Sequence, residues 1–229
     1  MRLSSLHAWL FQNRTLHRNL AGGAAVLGAA LLGTSCSSAP KVPASLESVA
    51  HYGENLYDAA RANDWAAAAA QLDTLKRGAA ELPGTAKGSP DLKSNVNSEL
   101  AVIDTSVSRH DRAATLRSAN EVTRLAAELA RPYGPPVPVE IALLDYSGRE
   151  LELWAEAGDS TKLRAAMVTM RQTWDAVRKA VEKRRGGVEA AATFDALVVR
   201  AESAKTTGDY AAVATPILDE VDKLEQLFP

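Results

Sequence analysis

Few side chains in this chain of 229 residues could do chemistry, and their spacing narrows what that chemistry would be. The single cysteine, Cys36, has no partner for an internal disulfide. Of the four histidines, His7 and His17 precede it and His51 and His110 follow it. A metal site would be built around the last two. Glu47 and His51 stand four apart on one helix face, but that face points away from the apolar seam. Zinc needs about three or four converging protein groups, and no Glu-x-x-His pair of the di-iron bundle type follows Cys36. His51 therefore reads as a solvated histidine, and His110 as a turn residue beside Asp111. Met167 and Met170 offer thioether sulfur that would suit copper, but their spacing puts them on an apolar seam, as core.

Two helix-interior glycines sit in similar polar company. Gly53 lies in His51-Tyr52-Gly53-Glu54-Asn55, and Gly148 in Asp145-Tyr146-Ser147-Gly148-Arg149-Glu150. Such a glycine costs about 1 kcal/mol relative to alanine. It serves close helix approach, or it leaves a gap that admits a ligand. The candidate ligand-binding residues are thus His51, Tyr52, Asp145, Tyr146 and Arg149, although the seam phase turns His51 and Tyr146 outward. No glycine-rich phosphate loop and no Gly-x-Ser-x-Gly elbow occurs. Acidic pairs such as Asp219-Glu220 read as charged helix faces. No catalytic residue is assigned, no cofactor is expected, and a divalent metal is the one addition these groups would suit.

The elements that must position these residues are helices. Leu46, Val49, Gly53, Leu56 and Ala60 step by three and four, as do Trp65, Ala68, Leu72, Leu75, Ala79 and Leu82. No alternating strand pattern is convincing. Breaks rich in proline or glycine fall at 83–90, 132–138 and 184–187. Tyr133, in the second break, is expected to cover a helix end rather than anchor a partner. Asn63-Asp64, His110-Asp111, Gly158-Asp159 and Gly208-Asp209 recur 47, 48 and 50 residues apart. Each pair suits a hairpin turn: aspartate caps the new helix, and Asn or Gly ends the old one in a left-handed conformation. Eight helices follow, near 46–62, 65–82, 92–109, 112–131, 139–157, 160–183, 188–207 and 210–227.

A shift of 95 residues lays Leu46, Val49, Gly53, Leu56 and Ala60 on Ile141, Leu144, Gly148, Leu151 and Ala155. The same shift lays Ala68, Leu72, Leu75, Ala79 and Leu82 on Leu163, Met167, Met170, Trp174 and Val177. Fixed-period self-similarity points to duplication. The fold expected is all-α: two tandem antiparallel four-helix bundles, at 46–131 and 139–229. A helical-hairpin solenoid is the alternative. Ala62-Asn63-Asp64-Trp65-Ala66-Ala67-Ala68 and Gly208-Asp209-Tyr210-Ala211-Ala212 resemble the hairpin turn of tetratricopeptide repeats. Those repeats run about 34 residues, and here the spacing is longer, which favours bundles.

The N-terminus reads as an export signal over 1–35. Arg2, Arg14 and Arg18 precede or flank the start of an uncharged apolar run, 20–33, that ends in small residues. The run is shorter than the ~20 apolar residues that span a bilayer. Leu31-Leu32-Gly33-Thr34-Ser35-Cys36 resembles the lipobox of bacterial lipoproteins, although Gly33 stands where a large aliphatic residue is usual. The resemblance implies acylation of Cys36, palmitate-type chains included, and removal of the signal. An acylated Cys36 is no nucleophile. Ser37, rather than aspartate, follows it, which by the same resemblance implies the outer membrane, facing the periplasm. Cleavage lowers Lys+Arg from 26 to 23 and leaves Asp+Glu at 28, a balance of −5. No basic block remains for nucleic acid. Residues 36–45 read as a proline-bearing tether. The function expected is a non-enzymatic binding or scaffolding module, held on a membrane by its lipid and engaging an envelope protein. The alternative is a metal- or small-ligand-binding bundle.

Overall fold

The computed structural model describes residues 41–83 and 90–228. The expected signal segment and Cys36 lie outside the described residues, as do 84–89 in the first break. Eight α-helices occupy the described chain: α1 (Ala44–Arg61), α2 (Trp65–Ala80), α3 (Pro90–Ser108), α4 (Arg112–Ala130), α5 (Val139–Ala157), α6 (Ser160–Glu182), α7 (Gly187–Glu202) and α8 (Thr207–Glu225). They pack in antiparallel pairs. No described helix is long and apolar enough to cross a membrane.

Three of the four expected turns form as the residue types require. Asn63 and His110 take positive φ, 57° and 55°, and Gly158 takes 74°. The aspartate after each caps the next helix: Asp64 accepts from the Ala67 N–H, Asp111 from Ala114, and Asp159 from Thr161 and Lys162, all at 3.0 Å. Each such cap stabilises by about 1 kcal/mol. The fourth turn is a correction. Helix α8 starts at Thr207, so Gly208 and Asp209 lie inside its first turn. Thr206 is the cap, and Asp209 returns its carboxylate to the Thr206 N–H at 2.8 Å. The capping box satisfies the Thr206 and Asp209 N–H groups reciprocally, and it outcompetes the Gly-Asp signal. Residues 36–40 of the expected tether lie outside the described residues. Pro43 caps α1, and Val42 is buried in the core.

Two sets of buried apolar side chains run through the molecule. One holds Leu46, Leu56, Leu75, Ile103, Leu116 and Leu125, with Tyr133 packed against it. The other holds Ile141, Leu151, Met170, Trp174, Phe194 and Phe228. Met167 and Met170 are core residues, as their spacing implied. Helix α1 packs on α2 and α4, and α3 on α2 and α4. Likewise α5 packs on α6 and α8, and α7 on α6 and α8. Helices α4 and α5 also pack on each other. Between them a 3₁₀ turn (Arg131–Tyr133), Gly134 at φ 58° and buried Val137 carry the chain across.

The two glycines close gaps rather than open them. A Cβ at Gly53 would come within 3.1 Å of Thr123 Cγ2 on α4. At Gly148 it would come within 2.6 Å of Leu218 Cδ2 on α8. Both sites are filled by the neighbouring helix, which is the close helix approach such a glycine serves.

Candidate functional site

Helix α5 touches α4, α6 and α8, so more than one of its faces is covered. Its polar residues Asp145, Ser147 and Arg149 are therefore buried. Ser147 donates to the Leu143 carbonyl one turn back, at 2.9 Å. Asp145 and Arg149, four apart, pair directly: Arg149 Nε lies 2.8 Å from Asp145 Oδ2, with both side chains under 9 % exposed. The guanidinium also stands 4.8 Å from the centre of the Tyr57 ring on α1, a cation–π contact strengthened where water is excluded. Beside it, Arg61 of α1 makes a two-pronged pair with Glu152 of α5, at 3.1 and 3.2 Å. Thr215 of α8 donates to the same carboxylate at 3.2 Å. Three helices are thus joined by charge at one junction.

The junction carries more acid than base. Glu54 and Asp58 come from α1, and Asp222 and Glu225 from α8. Burial pushes the Asp145 carboxyl up to about 7; Arg149 pulls it down, and Glu54, Asp222 and Asp58 push it further up. Burial likewise holds Glu225 well above the usual carboxylate range, with Asp145, Glu54 and Asp222 adding to it. Neither Glu225 oxygen has a hydrogen-bond partner among the described residues. For Arg149, burial works against the charge, but Asp145, Glu54 and their neighbours outweigh it and keep the guanidinium charged. Burial also raises the Tyr57 hydroxyl. The cavity here, lined by Tyr57, Asp58, Arg61, Asp145, Arg149, Leu218 and Asp222, measures about 30 Å³. That holds a water or two and excludes an organic substrate.

The other candidates lie elsewhere. Tyr146 is half-buried toward α4, where the Arg124 guanidinium sits 5.9 Å from its ring centre. Asn120 of α4 donates to the Tyr146 carbonyl at 3.2 Å and to Glu150 Oε1 at 3.0 Å. Trp154 donates to Glu150 Oε2 at 2.6 Å. His51 and Tyr52 on α1 meet edge to face at 4.8 Å, and Asn55 Nδ2 lies 3.1 Å from His51 Nε2. The sequence candidates therefore divide into a buried pair (Asp145, Arg149), an α4-facing tyrosine and an α1 aromatic pair. Among the described residues, no group of three or more His, Cys, Asp and Glu side chains is arranged to hold a metal ion.

Sequence reasoning missed Tyr57, Glu54 and Glu225. Their signal was present but silent: each stands beside a seam position, and only a second covered face buries it. Glu220, read as part of a charged face, is also buried; Lys223 reaches it at 2.7 Å. Comparison with protein-family models, with curated proteins and with solved structures finds no match for this chain.

Proposed function

We propose that the chain is a non-enzymatic scaffold of the cell envelope, exported and held on a membrane through an acylated Cys36, which presents helix faces to a protein partner. The observation that carries this reading is the junction at Tyr57, Asp145 and Arg149. A buried ion pair is weak as a source of stability but demanding in geometry. The pair lies within α5, and its neighbours tie that helix to the first and last described helices: Arg149 stands over Tyr57 of α1, and Glu152 takes Arg61 of α1 and Thr215 of α8. The small cavity there leaves no room for an organic substrate at the junction. The reading extends to architecture: two four-helix bundles, 46–131 and 139–229, from one duplication. The packing of α1 on α4 and of α5 on α8 supports ring closure rather than an open solenoid. So does the shared role of Gly53 and Gly148, each admitting the fourth helix of its half. The anchor and the outer-membrane placement rest on the N-terminal sequence.

The test is mild crosslinking on intact cells, then capture of the full chain from membranes. A reproducible partner, lost together with membrane association in Cys36→Ser, is the expected result. An unmodified Cys36 by mass spectrometry overturns the anchor, and the absence of any reproducible partner overturns the scaffold. Against the other reading, a ligand or metal held at the paired glycines, stands the filling of both glycine positions by Thr123 and Leu218.

A further inference from the structure

We propose that the cleft between α6 and the α7–α8 connection binds a small amphipathic anion, an acidic head group on an apolar body. This goes beyond the scaffold reading and stands independently of it. The cleft encloses about 620 Å³, within the range of small-molecule sites, roughly 300–1,000 Å³. Its apolar lining is Met167, Val168 and Ala204, together with Tyr210. Val168 is 58 % exposed, one of few large apolar side chains left in water. An apolar body covering it would remove that cost.

The polar lining selects the sign of the ligand. Arg164, Arg171 and Lys205 face one carboxylate, Glu202. Glu202 is already committed, since Arg171 grips both of its oxygens at 2.7 and 2.8 Å. Arg164 makes only a 3.4 Å contact with Thr161 Oγ1, and the Lys205 ammonium has no hydrogen-bond or ion-pair partner among the described residues. Two cations at the rim of an apolar cleft thus remain available for charge-assisted hydrogen bonds to an anion.

The other half of the molecule shows what the same corner looks like when closed. There Lys76 of α2 pairs with Asp104 of α3, as Arg171 of α6 pairs with Glu202 of α7. The space beyond, between the start of α2 and the α3–α4 turn, is filled by Trp65 stacked on His110, at 4.9 Å with planes 10° apart. In the second half Ser160 begins α6, Lys205 and Thr206 lie in the α7–α8 connection, and Thr207 begins α8. The frame is kept and the aromatic plug is absent.

Calorimetric titration of the purified full chain with decanoate tests this. Saturable binding at one site is expected, weakened roughly tenfold or more in Arg164→Ala/Lys205→Ala, which removes two charge-assisted contacts. Ser160→Trp should also abolish it by refilling the corner. Decanol, which lacks the charge, and inorganic phosphate, which lacks the tail, should each bind at least about tenfold more weakly. The double variant alters exposed side chains, so unchanged circular dichroism shows that its loss is local. Absence of saturable decanoate binding overturns the proposal. So does equal binding by the double variant, or equal binding of decanol.

Discussion

Arg149 on α5 stands with its guanidinium 4.8 Å from the ring centre of Tyr57 on α1, so a residue late in the chain is seated on one from its first described helix. Removing the cation should expose what the junction contributes. Arg149→Met leaves Asp145 buried without its partner, and loss of one member of a buried pair costs about 3–5 kcal/mol. Denaturant unfolding should show a loss of that order near pH 8 and a smaller one near pH 5.5, where Asp145 is protonated. Adding Asp145→Leu to Arg149→Met should recover part of the stability. A single variant as stable as the parent at both pH values would mean that the junction is not under tension.

The junction acids set a sign for pH dependence. Asp145, raised from 3.8 to about 7, and Glu225, raised well above 4.5, hold protons in the fold that the unfolded chain has released. Between the unfolded and folded values, stability therefore falls as pH rises. The melting temperature should drop by roughly 5 °C from about pH 5.5 to about pH 8, given that 1 kcal/mol moves it by roughly 2–4 °C at this size. At lower pH the direction reverses. Asp195, Glu202 and Asp209 are held low by Arg178, by Arg171 and by the cap N–H groups, respectively, and their contribution is lost as they protonate. Glu225→Gln should flatten the fall between pH 5.5 and 8; an unchanged slope would place its source elsewhere.

The two glycines should separate under one substitution. Alanine at Gly148 drives a methyl to within 2.6 Å of Leu218 in a packed interface, and overpacking costs about 1–3 kcal/mol. At Gly53 the nearest atom is a Thr123 methyl at 3.1 Å. There the gain in helix propensity, about 1 kcal/mol, offsets much of the crowding. Thermal melts should rank Gly148→Ala well below Gly53→Ala.

Proteolysis reads the crossing between α4 and α5. Val137 is fully buried, Tyr133 packs on the first core, and Arg131 bonds to both Glu128 and Glu140. Segment 131–138 should resist a nonspecific protease under native conditions despite its prolines. Rapid cleavage there into two stable halves would contradict a junction that ties the first and last described helices to α5.

Helices and their turns were legible in the sequence because their causes are local. Apolar residues spaced by three and four define a buried stripe wherever it packs, and an aspartate after Asn63, His110 or Gly158 finds its N–H within one turn. Even the error at Gly208-Asp209 was local, a contest between two caps three residues apart. What lies opposite each stripe is not local. One apolar seam predicts one covered face, yet α5 is covered by α4, α6 and α8, which buries Asp145 and Arg149, while α1 brings Tyr57 to them. The same limit hid the α6 cleft. Its residues are ordinary helix-surface types, and the space exists because nothing in the tertiary arrangement fills the corner that Trp65 and His110 fill elsewhere. Local spacing determined the helices; burial of charge and the shape of empty space depend on which distant helices meet, and only the packed structure decides that.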